Sequence, residues 1–279
     1  VITTENFMLD CISKEVFTLS KRKSSKNTGN IQSGFVPNKK QQTNHQNYQG
    51  LDSEKNVNGY TKINLSQAQK ECLNVIQNNI LTFVKGPAGA GKSLAAFYYA
   101  VLEAQKDHTQ KIIVIRTPVE SGKDRIGFLP DDLSKKLEPH FASTKLLLET
   151  LLTPGKVDAD LNGKNGKIQF LIPNYALGTT FDNSTIIIDE AQMLEPLIMK
   201  LLLERTGINS KVIVLGDPTQ LYATDHSRNG LSHAYGRFFK EDGTPRFEDV
   251  GTYSFSVDDI MRSDFVKTVI RAYSGSDVV

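Results

Sequence analysis

The chain has 279 residues, with 33 Lys and Arg against 31 Asp and Glu, and its two cysteines are Cys11 and Cys72. This length allows one or two domains. The net charge of +2 excludes a strong overall field that would draw the protein onto nucleic acid or an anionic membrane. Two cysteines cannot build a disulfide framework or a four-thiolate zinc site, so we expect a reduced, cytoplasmic setting.

The composition of the N-terminal part of the chain predicts an arm that carries no targeting segment. The start, VITTENFMLDCISKEVFTL, lacks a basic stretch followed by an apolar one, and no window has the roughly 18 consecutive apolar residues of a membrane span. Residues 20–58 are rich in Lys, Asn, Gln, Ser and Gly, and they hold too little apolar surface to offset the entropy of ordering. We expect a disordered or weakly structured arm over 1–60, a folded domain over 61–279, and no membrane partner. A chain that starts with Val1 is expected to be a fragment or a processed form.

Apolar runs of strand length recur along the rest of the chain. Strands are predicted at 80–84, 111–116, 167–173, 185–190 and 211–217, and helices at 93–105, 140–152 and 194–207, the last ended by Gly207. Continuous rather than alternating apolar strands indicate a sheet that is buried on both faces. Because strands and helices alternate, the predicted fold class is α/β, with a mainly parallel sheet and helices on both faces.

The segment GPAGAGKS, residues 86–93, fits the pattern G-x-x-x-x-G-K-[ST], with a predicted strand before it and a predicted helix after it. Its glycines let the backbone wrap closely around phosphates, and the amides at the helix start supply partial positive charge. Lys92 is predicted to reach the β- and γ-phosphate oxygens, and Ser93 to bind Mg²⁺. The predicted nucleotide-binding residues are Gly86, Pro87, Ala88, Gly89, Ala90, Gly91, Lys92, Ser93 and Leu94. The alternative is a glycine-rich turn with a chance lysine.

A second motif, IIIDEAQ at residues 186–192, is a buried strand that ends in two carboxylates. In a parallel sheet this strand and the strand before the glycine-rich loop deliver residues to the same edge, where ligands bind. We expect Asp189 to hold Mg²⁺ and Glu190 to polarise the attacking water. A glutamate beside the γ-phosphate favours hydrolysis over phosphoryl transfer to a bound acceptor, because water needs a base. An acidic, solvated helix start is the alternative.

A third motif, VLGDPTQ at residues 214–220, is again a strand that ends in polar residues. Gln220 is predicted to lie by the γ-phosphate, where it would orient water or report on hydrolysis, while Asp217 and Thr219 shape the turn. Alone, Asp-Pro-Thr is ordinary turn chemistry. Its position at the same sheet edge as the other two motifs favours a functional Gln220.

Together these motifs resemble the PhoH family of P-loop ATPases, whose RecA-like core is similar to that of superfamily 1 helicases. The resemblance is carried by GPAGAGKS, IIIDEAQ, VLGDPTQ with NGL at 229–231, and RTPVESGKDRIGFLPDDL at 116–133. The stretch at 116–133 is the most discriminating, because generic P-loop ATPases lack it between their two nucleotide motifs. The match covers roughly Leu65 to Tyr273.

The resemblance implies further roles by motif position. Gln69 would read the adenine and favour ATP, with an exposed helix residue as the alternative. Arg116 and Glu120 would lie where such motors contact a nucleic-acid strand or a neighbouring subunit. Arg262 would act as an arginine finger, with a surface arginine on a terminal helix as the alternative. Many family members carry an arginine shortly before the acidic strand, but the corresponding segment here, YALGTTFDN at 175–183, has none. Arg228 is a candidate substitute.

The leading functional hypothesis is Mg²⁺-dependent ATP hydrolysis coupled to remodelling of RNA or single-stranded DNA. The nucleic-acid part rests on analogy. Because 61–279 is too short for two motor domains, we expect a homo-oligomer, as a ring. Residues 1–60 are also too short for the N-terminal nuclease domain of some relatives, so no nuclease activity is expected.

Two other functions stay open. A nucleoside kinase of the thymidine kinase type shares a P-loop and a motif like DEAQ, but it carries a four-cysteine zinc lobe and a phenylalanine where this chain has Met193. A nucleotide-gated RNA-binding module would use KRKSSK and NKK in the arm as phosphate contacts.

Overall fold

The computed structural model describes residues 54–55, 60–117, 133–220 and 229–273, all within the unit from Gln49 to Val279. The strands are β1 Glu54–Lys55, β2 Thr61–Lys62, β3 Leu81–Lys85, β4 Lys111–Arg116, β5 Ile168–Leu171, β6 Ser184–Asp189, β7 Lys211–Gly216 and β8 Val250–Ser254. The helices are α1 Gln67–Asn78, α2 Lys92–Lys106, α3 Leu133–Leu151, α4 Pro154–Asn162, α5 Pro173–Ala176, α6 Pro196–Leu203, α7 Gly230–Phe238 and α8 Asp264–Tyr273. A short 3-10 turn, Ala191–Met193, follows β6.

Six strands form one sheet in the order β5, β4, β6, β7, β3, β8, and β1 pairs with β2 separately. Every pair of neighbours in the six-stranded sheet is parallel. This confirms the predicted fold class, α/β with a mainly parallel sheet.

The core lies on both faces of the sheet. Residues from α1, α2, α3 and α4 pack with Val84, Val114 and Ile187 on one face. On the other face, residues of α6 and α7 pack with Phe83 and Ile186. Successive strand residues thus alternate between two buried faces, which explains why the strands read as continuous apolar runs.

The strand order determines which loops meet. Strand β7 lies between β3, which leads into the glycine-rich loop, and β6, which leads into the two carboxylates. The ends of these strands are level. Lys85 at the end of β3 pairs with Gly216 at the end of β7, and Arg116 at the end of β4 pairs with Asp189 at the end of β6. Residues that follow these strands therefore share one edge of the sheet, the edge at which α/β proteins bind ligands.

Several boundaries differ from the predictions. The helix predicted to end at Gly207 ends at Leu203. Gly207 instead donates its backbone N–H to the Phe181 carbonyl, and a Cβ there would lie 2.6 Å from that oxygen. The pairing of β1 with β2 places Glu54–Lys55 inside the predicted arm, and the rest of that arm up to residue 59 lies outside the described residues.

Two findings concern the setting of the protein. In the described part of the chain, no helix has the length and apolar character needed to cross a membrane. Cys72 is fully buried, and burial raises the pKa of its thiol to about 12. Cys11 lies outside the described residues.

Candidate active site

The glycine-rich loop connects β3 to α2. Gly86, Gly89 and Gly91 all have positive φ angles, of 140°, 83° and 96°. Gly91 precedes the first residue of α2, and the first amides of a helix have no partner within the helix. The loop and the helix start therefore present backbone N–H groups and the positive end of a helix dipole in one place, which suits an anion such as phosphate.

Lys92 is the first residue of α2 and folds over this loop. Its Nζ donates hydrogen bonds to the carbonyls of Gly86, at 2.6 Å, and of Pro87, at 2.8 Å. Burial lowers the pKa of Lys92, while Asp217, Glu190 and Asp189 act in the opposite direction. Lys92 thus interacts electrostatically with carboxylates from two other strand ends.

Asp189 is the last residue of β6 and is buried. Burial raises the pKa of its carboxyl group, and the nearby Arg116 guanidinium opposes that shift. Arg116 follows from the register of β4 on β6: its Nη1 lies 3.7 Å from Asp189 Oδ2 and its Nη2 lies 3.5 Å from Glu190 Oε1. Arg116 thus faces the two carboxylates of its own chain, and its contact with nucleic acid or a neighbouring subunit stays a prediction.

Glu190 begins the turn after β6 in a left-handed backbone conformation, with φ 53° and ψ 42°. Few residues other than glycine adopt this region. Two residues on, Gln192 is buried and donates from Nε2 to Glu190 Oε2 at 2.7 Å. Its Oε1 accepts the backbone N–H of Asp217 at 3.2 Å.

The loop after β7 is closed by a side chain, in agreement with the predicted turn. Asp217 Oδ1 accepts hydrogen bonds from the backbone N–H of Thr219, at 2.9 Å, and from its hydroxyl, at 2.6 Å. The Asp217 carbonyl accepts the backbone N–H of Gln220, which is exposed at this edge of the sheet. The structure therefore brings the loop of Gln220 to the same edge as Lys92 and Glu190.

A segment after β8 covers the glycine-rich loop from another side. Phe255 donates its backbone N–H to the Lys85 carbonyl, and Met261 donates its own to the Gly89 carbonyl at 3.3 Å. Arg262 lies over Gly89, where a Cβ would be only 2.8 Å from the arginine Nε. Arg262 is thus next to the loop of its own chain.

Gln69 meets the loop from α1. It is fully buried, which rules out an exposed helix residue, and a Cβ on Gly91 would collide with its Nε2. Its Oε1 accepts the backbone N–H of Ser66 at 2.9 Å, and the Ser66 hydroxyl accepts that of Gln69 at 3.2 Å. This capping box fixes the start of α1 and, with it, the position of the Gln69 amide.

The residues predicted to hold Mg²⁺ fit that ion chemically. Ser93 and Asp189 offer a hydroxyl and a carboxylate oxygen, the ligands that Mg²⁺ prefers. Within the described residues, no cluster of three or more His, Cys, Asp or Glu side chains is arranged to hold a metal. One carboxylate and one hydroxyl suit a Mg²⁺ ion that takes its other ligands from substrate phosphates and water.

Comparison with known proteins decides the family. The family model described as PhoH-like protein matches residues 63–274. The chain belongs to the PhoH family. This confirms the resemblance that the motifs carry, and a P-loop nucleotide-binding fold comes with it.

Curated members of the PhoH family match over most of the chain. A PhoH-like protein from Synechocystis is 33% identical over 209 residues, covering 75% of this chain and 61% of its own length. A PhoH-like protein from Bacillus subtilis is 33% identical over 219 residues, 78% of this chain and 66% of its own. Protein PhoH from Escherichia coli is 35% identical over 210 residues, 75% of this chain and 57% of its own. The chain therefore spans only about three fifths of the length of these relatives.

Solved structures with a similar backbone are more distant. A large terminase from a thermophilic bacteriophage, in complex with ADP, is 14% identical, with a TM-score of 0.46, covering 76% of this chain and 51% of the terminase. Pif1 helicase from Candida albicans is 15% identical, with a TM-score of 0.35, covering 70% of this chain and 40% of the helicase.

Within the PhoH match, sequence reasoning gave no role to Gln192, Phe255 or Met261. Gln192 stood inside a quoted motif, yet only the structure shows that its amide joins two strand ends. Phe255 and Met261 have no motif signal, because their contacts follow from the pairing of β8 with β3. Glu120 and Arg228, together with 118–132 and 221–228 around them, lie outside the described residues.

Proposed function

We propose that this PhoH-family protein is an ATPase that hydrolyses ATP in the presence of Mg²⁺ and couples hydrolysis to remodelling of RNA or single-stranded DNA. The observation that carries the ATPase part is the convergence at Lys92. Asp217, Glu190, Asp189 and Arg262, from three different segments of the chain, all act electrostatically on this one ammonium group. A lysine, two motif carboxylates and a loop glutamine at one sheet edge are the parts that a P-loop hydrolase needs.

Each residue has a proposed role in the reaction. The amides of 86–94 and Lys92 bind the β- and γ-phosphates. Ser93 and Asp189 would hold Mg²⁺, which would supply further positive charge to the phosphate oxygens. Glu190 accepts a proton from the attacking water while the water oxygen bonds to the γ-phosphorus. The bond between the γ-phosphorus and the β–γ bridging oxygen then breaks, which releases ADP and phosphate. Gln220 orients that water, Arg262 stabilises charge in the transition state, and Gln69 reads the adenine.

The part of the proposal that concerns nucleic acid and assembly has a different basis. It rests on the resemblance to helicase-like ATPases, and the net charge of +2 supplies no general attraction to phosphate backbones. We also propose that the protein works as a homo-oligomer, because a single core needs a partner core to bind a nucleic-acid strand.

The ATPase proposal is tested by ATP turnover of the wild type and of Lys92→Ala, each with and without RNA. We expect turnover by the wild type, stimulation by RNA, and a loss of about 100-fold or more in Lys92→Ala. Lys164→Ala is the matched control, because Lys164 is exposed and lies outside the site. No turnover by the wild type would contradict the proposal, and turnover that requires thymidine would point to a nucleoside kinase instead.

A further inference from the structure

Gln192 is a buried amide that connects two strand ends of the candidate site. It is 2% exposed and lies in the turn Ala191–Met193 after β6. Its Nε2 donates to Glu190 Oε2 at 2.7 Å, and its Oε1 accepts the Asp217 backbone N–H at 3.2 Å. A carboxylate only accepts and a backbone N–H only donates, so these partners leave one orientation for the amide.

On the side of β6, the amide fixes the direction of the Glu190 carboxylate. Glu190 has a positive φ of 53°, a conformation that costs energy in a residue other than glycine and that persists only where its surroundings hold it. Gln192 contacts Oε2, while Arg116 Nη2 lies 3.5 Å from Oε1. Each carboxylate oxygen thus has its own partner.

On the side of β7, the same amide holds the loop that carries Gln220. Asp217 donates its N–H to Gln192, and its carbonyl accepts the N–H of Gln220 at 3.2 Å. Gly216 leaves room for this contact, since a Cβ there would lie 2.6 Å from Gln192 Oε1. The backbone of β7 therefore approaches the Gln192 amide as closely as only glycine permits.

We infer that Gln192 is a positioning residue for hydrolysis, which ties the Glu190 carboxylate to the loop 217–220 so that the water-activating group and Gln220 keep one relative position. This inference rests on the proposed ATPase function. Gln192 acts through Glu190 and Asp217 and not on the nucleotide itself. Its loss should therefore affect the chemical step much more than ATP binding.

The test compares the wild type with Gln192→Met, which keeps the length of the side chain and removes both hydrogen bonds. We expect kcat to fall about 10- to 100-fold, the range typical of residues that orient a functional group, with Kd for ATP changed by less than about threefold. Gln110→Met is the matched control, because the Gln110 amide also makes a hydrogen bond, from Nε2 to the Asn209 carbonyl, but lies before β4, at the opposite end of the strand.

A second variant and a second readout separate positioning from simple packing. Gln192→Glu keeps an acceptor for the Asp217 N–H but places a carboxylate against Glu190. We expect its kcat to fall as well, while amide hydrogen exchange at Asp217 stays slow in Gln192→Glu and becomes faster in Gln192→Met. This exchange readout depends on the hydrogen bond alone and does not require hydrolysis.

The outcomes are distinguishable. Wild-type kcat in both variants, or unchanged exchange at Asp217 in Gln192→Met, would overturn the positioning role and leave the ATPase proposal intact. Loss of ATP binding in proportion to kcat would overturn it too, since the residue would then support the fold of the site in general. No turnover by the wild type would instead remove the proposed function, and this inference with it.

Discussion

At the scale of single residues, the site depends on side chains that reach the glycine-rich loop from distant parts of the chain. Arg262 lies over Gly89, and Gln69 lies over Gly91. A side chain at either glycine would collide with these neighbours, and both positive φ angles would strain it further. The two glycines therefore serve the close packing of the loop as well as its turn.

Motif reasoning predicted Lys92, Ser93, Asp189 and Glu190 because each directly follows or ends a segment of recognisable pattern in a parallel sheet. It could not predict the contacts of Arg116, since these depend on the register of β4 on β6. The bridge formed by Gln192 also needs the strand order, because it joins residues on β6 and β7 that are distant in sequence. The spacing of residues in the sequence predicts neither the Arg116 contacts nor the Gln192 bridge.

The position of Gln69 gives a test of base recognition. In Gln69→Ala we expect KM for ATP to rise about tenfold, because an adenine hydrogen bond worth roughly 1.4 kcal/mol is lost, and the preference for ATP over GTP to disappear. Steady-state kinetics with both nucleotides measures this. Gln67→Ala is the control, since Gln67 lies on the same helix, is exposed and contacts only Glu71 in its side-chain bond. An equal rise of KM for both nucleotides would contradict base reading by Gln69.

At the scale of elements, most strands of the six-stranded sheet were predicted, but its edge strand β8 and several other elements were not. Continuous apolar runs identify β3, β4, β6 and β7 to within about a residue, because a strand buried on both faces has little choice of residue type. The first half of α3 is polar and contains Pro139, so periodicity placed its start at 140 and not at Leu133. The antiparallel pair β1 and β2 has only two residues per strand, too few for a pattern.

Helix α7 offers a test of element stability that leaves the site unchanged. Gly236 lies within this helix, and a Cβ there would have no heavy atom within 4 Å. We expect Gly236→Ala to raise the free energy of unfolding by about 0.5–1 kcal/mol, because alanine loses less backbone entropy on folding. Urea denaturation measures this.

Gly230 in the same helix is the contrasting position. A Cβ there would lie 2.6 Å from the Leu194 carbonyl oxygen, to which Gly230 also donates its N–H. Gly230→Ala should therefore lower the free energy of unfolding. If both variants shift stability in the same direction, the packing described for α7 is wrong.

At the scale of the whole molecule, family membership and fold define a nucleotide-binding core, and the chain covers about three fifths of its curated relatives. The net charge of +2 shows that the chain is not strongly basic. Any binding of nucleic acid must therefore come from local contacts or from several copies of the chain acting together. The nucleic acid on which the proposed ATPase acts was not predictable from the sequence, because the motifs specify phosphate chemistry only.

The proposed assembly can be measured directly. We expect the mass in solution, determined by light scattering, to exceed that of the 31.0 kDa chain when an ATP analogue is present. Nucleotide should favour the assembled form, since a ligand that binds one state better shifts the population towards it. A monomer with full ATP turnover under the same conditions would contradict the oligomer.

The central claim is that Lys92, Asp189 and Glu190 form one site in which binding and hydrolysis of ATP are separable. Single-turnover hydrolysis and ATP binding, measured on the same samples of wild type and Glu190→Gln, test it most directly. We predict that Glu190→Gln binds ATP with a Kd near that of the wild type, while its hydrolysis rate falls about 10²- to 10⁴-fold through loss of the general base. Hydrolysis by Glu190→Gln at the wild-type rate would contradict the account.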